Sequence, residues 1–201
     1  MPKIMAKALE VNDRGTSWAV QGALVVSTSL FVGLCARISV PLPFTPVPLT
    51  LQNLAVVLVG LLLGSRAGFA ALCLYLMEGA AGLPVFTPGP GGIAQLLGPT
   101  GGFLFAYPFV AWLAGFLFEQ WRPGVLARRA QNSTFFRALI ASTVAEVLLF
   151  VGGLSWLFVL KHSVALAFRW GLYWFFFAEV VKVMLAAGIA SAWQLGRRID
   201  V

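Results

Sequence analysis

Five charged residues lie inside otherwise apolar runs of this 201-residue chain: Arg37, Glu78, Glu146, Glu179 and Lys182. A charge at mid-bilayer costs roughly 2.5–3.5 kcal/mol on insertion scales and less near the interface, so such residues are functional candidates by default. Arg37 and Glu78 also suit snorkelling to a nearby interface. Glu146 suits either a protonated acid or a hydrogen bond to a neighbouring helix. Glu179 and Lys182 form the sharper pair, because their spacing puts both on one helical face. Two roles are open to them. They can satisfy each other as a structural ion pair, or the lysine can meet an anionic substrate group while the carboxylate accepts from substrate N–H donors. Tyr75 and Glu78 share the same spacing on a different apolar run, while Gln52 and Asn53 add neutral donors and acceptors at the same depth. Phe44, Phe86, Phe103 and Tyr107 gather near this end of the chain's apolar segments, as a pocket lining or as an interfacial belt.

Other chemistries lack their residues. There is no Gly-Lys pair anywhere, hence no G-x-x-x-x-G-K-[ST] phosphate loop and no ATP hydrolysis by this chain. H-E-x-x-H, G-x-S-x-G and an aspartate-rich metal cluster are also missing from the sequence. His162, the only histidine, has no ligand-type neighbours, so neither a metal nor a cofactor is expected. Cys35 and Cys73 sit in apolar stretches and read as small buried hydrophobes. The formal charge of +7 does not indicate nucleic acid, because the arginines fall between apolar runs rather than on one large surface.

The elements that must position these residues follow from composition. The chain is 60% hydrophobic and 10% charged, against about 45–50% and about 25% for a soluble domain. A cytosolic enzyme, a secreted domain and a disordered tail are excluded. At roughly 20 residues per span there is room for about six membrane helices. Six apolar segments can be marked: Trp18 to about Val40, Leu49 to Gly64, Ala67 to about Leu83, Phe103 to Phe118, Phe135 to Leu160 and Trp170 to Leu195. The runs are continuous rather than alternating, which excludes barrel strands. The expected fold is therefore an all-α integral membrane protein with six transmembrane helices. Residues 1–17 form a cytoplasmic segment, residues 18–195 the helical domain and residues 196–201 a cytoplasmic tail. The first apolar run exceeds the length of a cleavable signal core, so it reads as a retained helix.

Ten of the fourteen basic residues fall on one side of this topology: Lys3, Lys7, Arg14, Arg66, Arg122, Arg128, Arg129, Arg137, Arg197 and Arg198. Only Lys161 and Arg169 fall on the other, which predicts that both termini are cytoplasmic. The outer connections are nearly uncharged and rich in proline and glycine, at Pro41 to Pro48 and Pro84 to Gly102. Proline fixes φ and glycine permits tight turns, so these segments form stiff caps over a substrate cavity, or simply tight turns. No internal repeat is visible.

The outer segments also carry a resemblance. Pro43-Phe-Thr-Pro-Val-Pro-Leu-Thr-Leu-Gln52, then Tyr75-Leu-Met-Glu-Gly-Ala-Ala-Gly-Leu-Pro-Val-Phe86, then Gly-Gly-Ile-Ala-Gln-Leu-Leu-Gly-Pro-Thr-Gly-Gly102 resemble the BioY family of biotin-specific substrate-binding (S) components of energy-coupling factor transporters. Glu179-Val-Val-Lys182 and the run to Ala187 look like that family's closing motif, and the resemblance spans about residues 20 to 195. It implies a six-helix S component in the bacterial cytoplasmic membrane that binds biotin near the outer face. It also implies partnership with a transmembrane coupling (T) protein and two cytoplasmic ATPases. Substrate-binding candidates on this resemblance are Lys182 for the carboxylate, Glu179 for the ureido group, and Tyr75, Glu78, Gln52, Thr45, Phe44, Phe86, Gln95 and Arg37 around them. Glutamate stands at 179 where the family usually has aspartate, and Glu78 stands where an apolar residue is expected. Ala19 and Ala23 have the small-x-x-x-small spacing by which family members meet the T protein, a pattern common in membrane helices. An S component for a different small water-soluble vitamin is the nearest alternative. A membrane enzyme acting on lipid would need catalytic groups on the cytoplasmic face, which offers mostly arginines, and a scaffold without ligand leaves the intramembrane acids and Lys182 unexplained.

Overall fold

The computed structural model describes residues 18–120 and 131–199, with side chains at all of these except 131–133 and 197–199. Lys3, Lys7, Arg14, Arg122, Arg128 and Arg129, and the segment 1–17, lie outside the described residues. In chain order the elements are α1 (Trp18–Arg37), β1 (Ser39–Val40), β2 (Leu49–Thr50), α2 (Gln52–Leu63), α3 (Ser65–Ala80), α4 (Gly92–Leu97), α5 (Gly101–Gln120), α6 (Gln131–Lys161) and α7 (Val164–Phe168). A π-helical turn (Arg169–Tyr173) then leads into α8 (Phe176–Ile199).

Four of these helices are long and apolar enough to cross a membrane: Trp18–Arg37, Gly101–Gln120, Thr134–Lys161 within α6, and Phe176–Gly196 within α8. The second and third apolar segments are shorter as helices than a full span. α2 has 12 residues and α3 has 16, or about 18 and 24 Å at 1.5 Å per residue. What separates them also differs from the two residues, Ser65 and Arg66, that the sequence leaves between the second and third apolar segments. The break is the single residue Gly64 at φ 88°, a left-handed conformation that glycine adopts without penalty, and Ser65 and Arg66 already belong to α3. Glu119 of α5 secures that break by accepting from the Ser65 backbone N–H at 3.0 Å and from its hydroxyl at 2.9 Å. A carboxylate is well placed there, since the first N–H groups of a helix have no intrahelical partner.

The architecture is not purely helical. Ser39 pairs with Thr50 and Val40 with Leu49 in a two-stranded antiparallel ladder. Helix α1 therefore ends at Arg37, short of the predicted Val40, because the prolines at 41, 43, 46 and 48 cannot donate to a helix and bias their neighbours to extended backbone. The second proline- and glycine-rich connection contains α4 rather than irregular chain throughout. At the far end of α6, His162 takes a left-handed φ of 51° and its N–H closes on Phe158 O at 2.7 Å, so the lone histidine terminates a helix.

Helix α5 is the centre of the bundle, packed by α2, α3, α4 and α6. Within its most apolar stretch 67% of residues are buried, against 28–33% in the three other long apolar helices. Those helices turn large apolar side chains outward: Leu30, Phe31 and Leu34 on α1, Val147, Val151 and Phe158 on α6, Val181, Met184 and Leu185 on α8. Such a surface suits lipid rather than water. Glycines let the central helix approach its neighbours. A Cβ at Gly60 would stand 2.2 Å from Ala111 O, and one at Gly102 would stand 2.2 Å from the Trp156 side chain. Gly60→Ala should therefore force α2 from α5 and lower stability by about 1–3 kcal/mol, the usual range for overpacking. Thermal unfolding in detergent checks this against Gly188→Ala, where nothing lies within 4 Å; equal midpoints for both variants would show that the crossing tolerates a methyl.

Candidate functional site

The buried face of α8 begins with Glu179 and Lys182, followed by Val183, Ala186, Ala187 and Ala190. Their spacing does what the sequence predicts: Lys182 Nζ donates to Glu179 Oε1 at 2.7 Å, with both side chains almost wholly buried. The carboxylate is tied to a second helix as well, since Asn53 Nδ2 at the start of α2 donates to the same oxygen at 3.1 Å. Asn53 Oδ1 in turn accepts from the Tyr107 hydroxyl of α5 at 2.9 Å. Three helices thus meet at one carboxylate. Gln52, the residue before Asn53, reaches the other way: its Nε2 donates to Tyr75 OH at 2.7 Å, and that hydroxyl donates to Val85 O at 3.2 Å. The start of α2 is held by Thr50 Oγ1, which accepts from Gln52 N at 3.2 Å.

Beside this network lies a narrow crevice of about 30 Å³ that is partly open to the outside. The hairpin and α2 contribute Val47, Pro48, Thr50, Gln52 and Asn53. The second connection contributes Thr87 and Thr100, and the aromatic walls are Phe103, Tyr107, Phe150 and Phe175. Glu179 is the charged group in the lining. The site combines hydrogen-bonding groups at one end with apolar walls, the usual composition of a small-molecule pocket.

The predicted residues divide among distinct positions. Glu179 and Gln52 line the crevice, Lys182 lies against Glu179, and Tyr75 stands behind Gln52. Four others shape the segments around the mouth. Thr45 Oγ1 donates to Trp170 O at 2.7 Å, and Phe44 rests on Trp174 with ring centroids 4.1 Å apart. Gln95 Nε2 donates to Thr87 Oγ1 at 3.1 Å and Thr100 Oγ1 at 3.3 Å, and buried Phe86 meets Tyr75 edge-on at 5.3 Å. Arg37 and Glu78 do not join the crevice. Arg37 donates through Nε and Nη2 to Pro84 O, and Glu78 Oε1 accepts from Ser29 of α1 at 3.0 Å. Asn53, Phe103 and Tyr107 were visible only as polar or aromatic neighbours of the predicted set, and they prove to be part of the crevice. Phe150 and Phe175 carry no signal in the sequence, because an inward phenylalanine of a membrane helix looks like a lipid-facing one.

Residues 5–198 match the BioY family. The chain is 35% identical to the biotin transporter BioY2 of Lactococcus lactis over 81% of its own length and 83% of that protein. It is 34% identical to the biotin transporter BioY of Thermotoga maritima, over 83% of this chain and 92% of the relative. Among solved structures, the S-component for biotin from an ECF-type ABC transporter superposes with a TM-score of 0.75 at 24% identity, covering 90% of this chain and 95% of that one; it shares the fold.

Tyr107→Phe leaves Asn53 Oδ1 without its donor in a buried site, which should cost about 1–3 kcal/mol. The thermal midpoint of the ligand-free protein should fall, while Tyr173→Phe, at an exposed position, should leave it unchanged. An unaltered midpoint in Tyr107→Phe would show that the asparagine does not depend on this hydroxyl.

Proposed function

Because this chain belongs to the BioY family, we propose that it captures biotin at the outer face of a bacterial cytoplasmic membrane as the S component of an energy-coupling factor transporter. It is a multi-pass transporter subunit rather than an enzyme. In this reading α1, α2, α3, α5, α6 and α8 are the six membrane helices of a domain spanning residues 18–195, with both termini cytoplasmic. α2 and α3 cross the bilayer as two short helices. The proline hairpin and the segment from Pro84 to Gly102 cap the crevice from outside. A T component and two ATPase subunits drive release inward.

One observation carries the assignment: a buried, hydrogen-bonded Glu–Lys pair at the edge of an aromatic crevice. Biotin offers matching groups, namely a carboxylate, a cyclic urea with two N–H donors and one acceptor, and an apolar sulfur ring. While the crevice is empty, Lys182 and Glu179 satisfy each other. On binding, the pair opens. The substrate carboxylate replaces Glu179 on Lys182, and the urea N–H groups replace Lys182 on Glu179, with Asn53 and Gln52 supplying further polar contacts. Phe103, Phe150 and Phe175 cover the ring system. Caps stiffened by proline leave little loop ordering to offset affinity. The short pair distance also favours a second arrangement, in which the closed pair meets one edge of the urea, Lys182 on its carbonyl and Glu179 on an N–H.

Equilibrium binding of labelled biotin to purified protein, with and without excess thiamine, tests the function. Saturable binding near one per chain that thiamine leaves intact is the expected outcome, whereas selective displacement by thiamine or riboflavin would move the assignment to another vitamin. Lys182→Ala should weaken biotin about a hundredfold, in line with ~2–5 kcal/mol for truncating one partner of a buried charge pair, and should weaken biotin amide far less. Equal losses would assign Lys182 to the urea end. Glu179→Gln should bind several-fold more weakly and Glu179→Leu not at all; unchanged affinity in the leucine variant would return Glu179 to a purely structural role.

A further inference from the structure

Helix α6 brings another carboxyl to the same place. Glu146 is 5% exposed, on a helix that packs along α8, and its carboxyl interacts with both Glu179 and Lys182. No N–H or hydroxyl donor among the described residues reaches Glu146 Oε1, Glu146 Oε2 or Glu179 Oε2. The two carboxyls nevertheless lie within hydrogen-bonding reach of each other. Two ionised carboxylates in contact repel, strongly so where water is excluded. A single proton between them turns the contact into a charge-assisted O–H···O bond and satisfies one orphaned oxygen on each carboxyl.

Among the described residues, no other donor is placed on these oxygens. From α8 the charged groups facing Glu146 are Glu179 and Lys182, and the Lys182 ammonium is engaged by Glu179 Oε1. From α5 the facing group is Tyr107, whose hydroxyl is committed to Asn53 of α2. Helix α7 carries no titratable side chain, and Arg169 and Tyr173 of the π-helical turn are exposed. On the assumption that biotin is the substrate, we propose that Glu146 is a further acidic member of the substrate site, sharing one proton with Glu179 so that the site is neutral and Lys182 can exchange Glu179 for an anionic carboxylate. Lysine and a singly protonated acid pair sum to zero, whereas without the proton a biotin anion would enter a site already carrying net negative charge.

Infrared difference spectroscopy reads the proton directly. The biotin-free protein should show the carbonyl stretch of a protonated, buried carboxylic acid, and Glu146→Gln should lack it. Absence of that band in the wild type, or its persistence in Glu146→Gln, would overturn the proposal. Binding supplies a second readout. Glu146→Gln, whose amide can still donate to Glu179, should bind biotin within about threefold of wild type. Glu146→Leu should weaken biotin at least tenfold and biotin amide much less; equal weakening of both ligands, or no rescue by glutamine, would reduce Glu146 to a packing residue. If the wild type binds no biotin, the substrate assignment fails, and the infrared band still decides the acid pair on its own.

Discussion

An ion pair placed where neither water nor lipid can solvate it has to be completed by the protein, and much of this bundle is organised around that requirement. Glu179 and Lys182 are each nearly excluded from solvent, and an unpaired charge in such a place would be costly. Helix α2 must therefore begin where Asn53 can donate to Glu179, and α5 must bring Tyr107 where it can orient Asn53. The start of α2 and the central helix are both committed by one carboxylate. The same arrangement leaves the polar groups facing a crevice instead of a closed core.

Close helix approach makes that arrangement geometrically possible. Gly60 and Gly115 bring α2 and the start of α3 against α5, and Gly102, Gly152 and Gly153 bring α5 against α6. Without a hydrophobic drive between helices in lipid, contact area and hydrogen bonds must hold the bundle together. Cross-bundle hydrogen bonds do part of this work at the crevice end: Trp156 Nε1 donates to Gly98 O at 2.9 Å, Thr45 to Trp170 O, and Arg37 to Pro84 O. Each ties a proline- or glycine-rich connection to a helix or to the turn before α8. These connections are held through backbone acceptors, which explains how nearly uncharged segments keep a defined shape. Arg37 belongs to this supporting pattern, and Glu78 ties α3 to α1 through Ser29.

Much of this was legible in the amino-acid order. Continuous apolar runs require helices in a solvent that cannot hydrogen-bond to backbone, and the three-residue spacing of Glu179 and Lys182 is enough to make them neighbours. The polar pair Gln52-Asn53, directly after a proline-rich segment, marks a helix start near the polar end of a site. These are local relations, set by helical geometry and by proline's missing N–H. Tertiary structure decided the rest. It turned Asn53 toward Glu179 and Gln52 toward Tyr75, selected Phe150 and Phe175 from many equivalent phenylalanines as crevice walls, and replaced an expected two-residue connection by Gly64 alone. It also brought Glu146 to Glu179 from a different helix, 33 positions away in the chain. In a membrane protein the apolar pattern does not distinguish an inward face from a lipid-facing one, so only the packing of helices could choose which side chains meet.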